Sequence, residues 1–120
     1  MDATPSTRTF TPLEQAGTLD SLLAAPGPFV IFKHSPTCGT SAFAYDQLLD
    51  FLDDPSGTPI HLVNVLAARP LSQQIAARLG VRHESPQVLV VDGGQVRWHA
   101  SHFRVTADAL RRALASLRQP

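Results

Sequence analysis

Phe29-Val30-Ile31-Phe32-Lys33-His34-Ser35-Pro36-Thr37-Cys38-Gly39-Thr40-Ser41 is the stretch that decides how this chain folds. It opens on a short apolar run, Phe29 to Phe32, rich in β-branched and aromatic side chains and bounded by Pro28 and polar residues. Such a run predicts a buried central strand. His34-Ser35-Pro36-Thr37 reads as a turn. Phe43, Leu48, Leu49, Phe51 and Leu52 then predict a helix from about Cys38 to Asp53, with Ser35 or Thr37 as candidate caps. The single cysteine of the chain therefore falls where a strand passes into a helix N-terminus. Unpaired N–H groups and the positive helix end favour a thiolate there. Thiolate, not thiol, is the nucleophile, and such positions lower a free-cysteine pKa of about 8.5.

Outward from this stretch, Leu19, Leu22 and Leu23 predict a short helix with Thr18 as N-cap, stopped by Pro26-Gly27-Pro28. Asp54-Pro55-Ser56-Gly57 breaks the helix after Cys38. Ile60, Leu62 and Val63 to Leu66 predict a second strand. Pro70 fits the first position of a third helix, with Leu71, Ile75 and Leu79 on one face and Gly80 past its end. Ser85-Pro86 leads into a third strand, Val88 to Val91. Asp92-Gly93-Gly94-Gln95 is a hairpin signal, followed by a fourth strand from about Gln95 to Ala100. Thr106 caps a last helix with Leu110, Leu114 and Leu117 in phase. Residues 1–12 read as a poorly ordered lead-in to a single domain over residues 1–120. Two strand–helix–strand crossovers imply parallel strands, and the hairpin adds an antiparallel edge. This α/β order, a central mixed four-stranded sheet flanked by helices, is the thioredoxin-like arrangement, with one active-site turn after the first central strand.

The bulk properties narrow the function. With 120 residues, 43% hydrophobic and 17% charged, the composition is that of an ordinary globular protein. Ten basic and ten acidic residues give a formal net charge of zero, so no electrostatic footprint for nucleic acid or an anionic membrane is visible. No apolar run spans a bilayer, and residues 1–11 show no signal-peptide core. One cysteine excludes an intramolecular disulfide, and the cytoplasm is the expected location.

Ser41 lies three residues beyond Cys38, on the same helix face, where its hydroxyl can donate to the thiolate or simply cap the helix. No resolving cysteine occupies that place, so a mixed disulfide must be released to an external thiol. Proline lacks the N–H a strand needs, and X-Pro is the usual site of a cis bond. A cis Ser85–Pro86 facing Cys38 would offer the Ser85 backbone to a bound peptide or thiol. Lys33 is the single lysine, expected to favour the thiolate, to meet an anionic substrate, or to sit as a surface residue at a strand end. Among five histidines only His99 and His102 are close in sequence, which makes no metal site.

With these residues in place, the chain resembles the monothiol bacilliredoxins, thioredoxin-like proteins of the bacillithiol system. The matching segments are Phe32 to Ser41, Arg69-Pro70-Leu71-Ser72 through His83-Glu84-Ser85-Pro86-Gln87, and Ser101-His102. That family's active site is more often Cys-Pro-x-Ser or similar, and here Gly39-Thr40 fills the middle. The resemblance implies a thiol-disulfide oxidoreductase that removes bacillithiol from S-bacillithiolated proteins. Cys38 would attack, carry the adduct and be regenerated by a second bacillithiol, the low-molecular-weight thiol co-substrate. Bacillithiol joins cysteine to a glucosamine-malate unit. The resemblance therefore implies that Gly39, Thr40 and Ser41 stabilise the thiolate, and that Lys33, Thr37, Ser85 and Pro86 contact the substrate. A second resemblance is to monothiol glutaredoxins, which hold a [2Fe-2S] cluster with glutathione. Cys38-Gly39-Thr40-Ser41 is one residue from their Cys-Gly-Phe-Ser, but Gly93-Gly94-Gln95-Val96 does not reproduce their Gly-Gly-x-Asp clamp. A redox-silent interaction module of the same fold is the third alternative.

Overall fold

The computed structural model describes residues 9–118. Its elements are β1 (Thr11–Pro12), α1 (Ala16–Ala24), β2 (Phe29–His34), α2 (Gly39–Phe51), β3 (Ile60–Asn64), α3 (Arg69–Leu79), β4 (Gln87–Asp92), β5 (Gln95–Ser101) and α4 (Ala107–Leu117). A single turn of 3-10 helix, His102–Arg104, links β5 to α4. The sheet is mixed, in the order β1-β3-β2-β4-β5.

Five strands stand where the sequence predicts four. The additional one is β1, two residues on the sheet edge, pairing Thr11 with His61 and Pro12 with Leu62. Two residues, one of them proline, carry no alternation to read, and proline is tolerated there because an edge strand needs no outward N–H. The expected lead-in over residues 1–12 thus ends in sheet, and residues 1–8 lie outside the described residues. Helix α1 begins at Ala16, with Gln15 rather than Thr18 at its N-cap.

The second crossover departs from the parallel expectation. Strands β1 and β3 run parallel to β2, whereas β4 runs antiparallel to it, with Lys33 opposite Gln87 and Phe29 opposite Val91. The reason lies in residues 81–86. Six extended residues reach about 20 Å, more than the roughly 16 Å length of an eleven-residue helix. After Gly80 caps α3 in the left-handed region (φ 69), this segment runs back along the helix. His83 Nδ1 returns to within 3.1 Å of Ser72 Oγ near the start of α3. Strand β4 therefore begins at the end of the sheet where β2 stops. Gly93 and Gly94, at φ 63 and 76, make the tight turn into β5.

Central strand β2 is buried on both faces. Val30 and Phe32 pack with Leu48 and Phe51 of α2 and Leu110 and Leu114 of α4. Phe29 and Ile31 pack on the other face with Leu19 of α1 and Leu71 and Ile75 of α3. This two-sided apolar load explains the unbroken run Phe29 to Phe32. It also fixes the register, and with it the point at which the chain leaves the sheet toward Cys38.

Candidate active site

Cys38 is the N-cap of α2 in extended geometry (φ −104, ψ 129), so neither Ser35 nor Thr37 takes that place. The turn before it closes on a hydrogen bond from Cys38 N–H to Ser35 O (3.2 Å), and the carbonyl of Cys38 accepts the N–H of Ala42 (3.1 Å). Cys38 is a free, partly accessible thiol. Its side chain makes no capping hydrogen bond to the helix start. The backbone N–H groups of Ser41 and then Thr40 nevertheless hold its pKa below the ordinary thiol value, opposed by partial burial and aided by the Thr40 and Ser41 hydroxyls. The groups that lower it are thus those of Ser41 and Thr40. At a helix start the second and third N–H groups point at the N-cap, while the first points aside.

Ser41 does more than face the sulfur. It is fully buried, and its Oγ accepts the N–H of Ser35 at 3.2 Å. With one lone pair so engaged, its own proton is free to turn toward the thiolate. The residue ties the Ser35–Cys38 turn to the first turn of α2. Thr37 is exposed in that turn.

Strand β4 starts beside the end of β2, so the preceding loop lies at the Cys38 end of the sheet. The Ser85–Pro86 bond is cis. Pro86 O accepts the N–H of His102 (2.9 Å), a non-glycine residue held in the left-handed region at φ 57. The His102 ring lies 3.5 Å from Glu84. Buried Gln87 anchors the loop from below through Nε2, which donates to Arg82 O at 2.9 Å. Ser85 Oγ is buried and has no hydrogen-bond partner among the described residues.

Lys33 is not the surface residue that one of its expected placements makes it, since its relative exposure is 0%. On β2 it alternates onto the α3 face. There its Nζ donates to Ser72 O (3.1 Å) and lies 3.1 Å from His83 Nδ1. Burial pushes its pKa down to about 8. Arg69, Ser72 and His83, which the sequence reading quotes without giving them a role, gather around it. Their separation along the chain hides this, because the reversal at residues 81–86 brings them together.

The Gly93–Gly94 turn follows β4, at the end of the sheet opposite Cys38. Among the described residues no three His, Cys, Asp or Glu side chains gather as metal ligands. No helix among them is long and apolar enough to cross a membrane.

A five-stranded mixed sheet with helices on both faces, and a lone activated thiol at the helix start after the central strand, define a monothiol redox protein of thioredoxin-like fold. The chain matches the family described as Monothiol bacilliredoxin BrxC over residues 11–110. It belongs to that family. A solved thioredoxin-fold structure, provisionally described as an oxidoreductase, is 30% identical, with a TM-score of 0.80 over 86% of this chain and 91% of that one. Thioredoxin of Malassezia sympodialis is 15% identical with a TM-score of 0.76 over 97% of this chain and 96% of that one. Thioredoxin of Trypanosoma brucei brucei is 8% identical with a TM-score of 0.77 over 98% and 97%. At these last identities the likeness is one of fold alone.

Proposed function

We propose that this protein removes bacillithiol from S-bacillithiolated proteins in the cytoplasm, using Cys38 as the attacking thiolate. The observation that carries this is a single accessible cysteine whose pKa is lowered at a helix start with no second thiol to resolve it. The Cys38 thiolate attacks the bacillithiol sulfur of the mixed disulfide. A new S–S bond forms to Cys38, and the client cysteine leaves as thiolate and takes up a proton. A second bacillithiol thiolate then attacks the adduct, which regenerates the Cys38 thiolate and yields bacillithiol disulfide. No electrons are lost or gained overall, so the cycle needs no cofactor beyond the thiol.

The Ser85–Pro86 loop, which precedes β4 at the Cys38 end of the sheet, supports the reading as a docking edge for the chain that carries the adduct, through the Ser85 backbone. Thr37 flanks the sulfur on the exposed side. Membership of the bacilliredoxin family favours bacillithiol as the co-substrate. The place of the Gly93–Gly94 turn, remote from Cys38, weighs against a glutathione clamp of the glutaredoxin kind.

The test is the intact mass of the protein after incubation with oxidised bacillithiol and, separately, with oxidised glutathione. One bacillithiol adduct is expected, absent from Cys38→Ser, with a smaller glutathione adduct. Equal modification by both disulfides would reject the assignment of the thiol. No adduct with either would reject thiol exchange itself.

A further inference from the structure

Three positively charged or chargeable side chains converge beside the thiol end of the sheet with little negative charge to balance them. Lys33 is fully buried, and among the described residues no carboxylate lies within ion-pair distance of it. Its partners are the Ser72 carbonyl and the His83 ring. An ammonium cannot accept a hydrogen bond, so His83 Nδ1 is the acceptor and the ring proton sits on Nε2. Burial, then Lys33, then Arg69 hold the His83 pKa down, and Glu84 alone opposes them. Glu84 is itself engaged with His102.

Above this cluster is a pocket of about 260 Å³, lined by Arg69, Ser72, Gln73 and His83 with Val65 and Leu66. Two partners of the Lys33 ammonium, Ser72 and His83, thus form part of its wall. The pocket opens at the Cys38 end of the sheet, because β3 is parallel to β2 and Val65 N–H donates to His34 O (3.0 Å). A buried cation without a counter-ion is costly. An anion in this pocket would offset that cost while meeting the Arg69 fork and the His83 N–H.

We propose that the pocket over Lys33 is a carboxylate subsite, in which Arg69 and His83 Nε2–H contact the anion and Lys33 supplies the opposing charge from beneath. Its role in exchange rests on the thiol chemistry proposed above; its affinity for anions does not. The carboxylate comes either from the small thiol or from an acidic side chain next to the client cysteine.

Two measurements test it. The first is the pH titration of the histidine ring resonances by NMR, with and without succinate at constant ionic strength. Succinate should raise the His83 pKa and leave those of His34 and His61 in place. An unmoved His83 overturns the site, whether or not Cys38 exchanges thiols. The second is the rate at which Cys38 reacts with bacillithiol disulfide relative to the uncharged 2-hydroxyethyl disulfide. Arg69→Ala should lower that ratio about two- to fivefold, the span of an exposed charge contact. Arg69→Lys should restore part of it, and Arg112→Ala, on the remote helix α4, should not change it. A parallel ratio uses peptide mixed disulfides with aspartate or alanine beside the cysteine. If Arg69→Ala lowers only this second ratio, the carboxylate belongs to the client. If neither ratio moves, the pocket takes no part in exchange and that half of the proposal falls. Failure of the wild-type protein to react with any disulfide would instead reject the thiol chemistry, leaving the anion site to the NMR result.

Discussion

Cys38→Ser leaves no thiol in the chain, so exchange with any mixed disulfide should vanish. The thermal transition should stay close to that of the wild type, because the sulfur makes no capping bond. Residual turnover by that variant, measured on a bacillithiolated client, would contradict the mechanism. Ser41→Ala should act twice. Losing a donor to the charged sulfur raises the Cys38 pKa, visible as a shift of thiolate absorbance toward higher pH. Losing the acceptor of the Ser35 N–H should also cost about 1–2 kcal/mol in urea unfolding. An unshifted absorbance curve with lowered stability would leave Ser41 as a purely structural tie. Lys33 predicts a pH dependence of the same sign as a paired carboxylate's, moved to alkaline pH. Its folded pKa of about 8 lies below the ordinary 10.5. Between those values the unfolded chain holds a proton that the folded one has released, so stability from this group rises with pH across that window. Denaturation at both ends of the window should show the rise in the wild type and lose it in Lys33→Met. The thiol and its helix-start placement are legible in sequence because both are local. The burial of Lys33 is not, since alternation shows which face a side chain takes but not what covers that face.

Helix α4 shows how an element is fixed by its neighbours as well as by its own residues. Thr106 Oγ1 accepts the N–H of Ala109 (3.2 Å), the cap the sequence predicts. Gln47 Oε1, from α2, accepts the N–H of Ala107 (3.0 Å). Arg111 adds ion pairs to Asp50 and Asp54 on the α2 side. Thr106→Ala should therefore cost about 1 kcal/mol, the ordinary value for such a cap, measured by urea unfolding. A loss well under half of that would mean that Gln47 holds the helix start alone. Helices α2, α3 and α4 and the β4–β5 hairpin are readable because cap, proline and glycine signals coincide with apolar spacing. The direction of β4 is not readable. Whether residues 81–86 return along α3 depends on contacts made by His83 and Gln87 after folding, and nothing in their local sequence states it.

Across the whole molecule, the two faces of β2 share one strand but serve different ends. The face toward α2 and α4 is purely apolar where Phe32, Leu48 and Phe51 meet, and it sets the pose of the helix that carries Cys38 at its start. Phe51→Ala should cost about 3–5 kcal/mol and broaden the thiol titration as α2 loosens; calorimetry and thiol absorbance check the two effects. The opposite face ends in the polar cluster around Lys33. At the sheet margins, β1 covers β3 with two residues, one of them Pro12, and β5 presents Arg97 and His99 on its exposed positions. A chain with zero formal net charge has no overall repulsion to keep copies apart in solution. Colloidal stability at neutral pH thus falls to these margins. A truncation that begins at Leu13 would bare the backbone of His61 and Leu62 to a second molecule, and light scattering should then reveal strand-to-strand aggregates that the longer chain does not form.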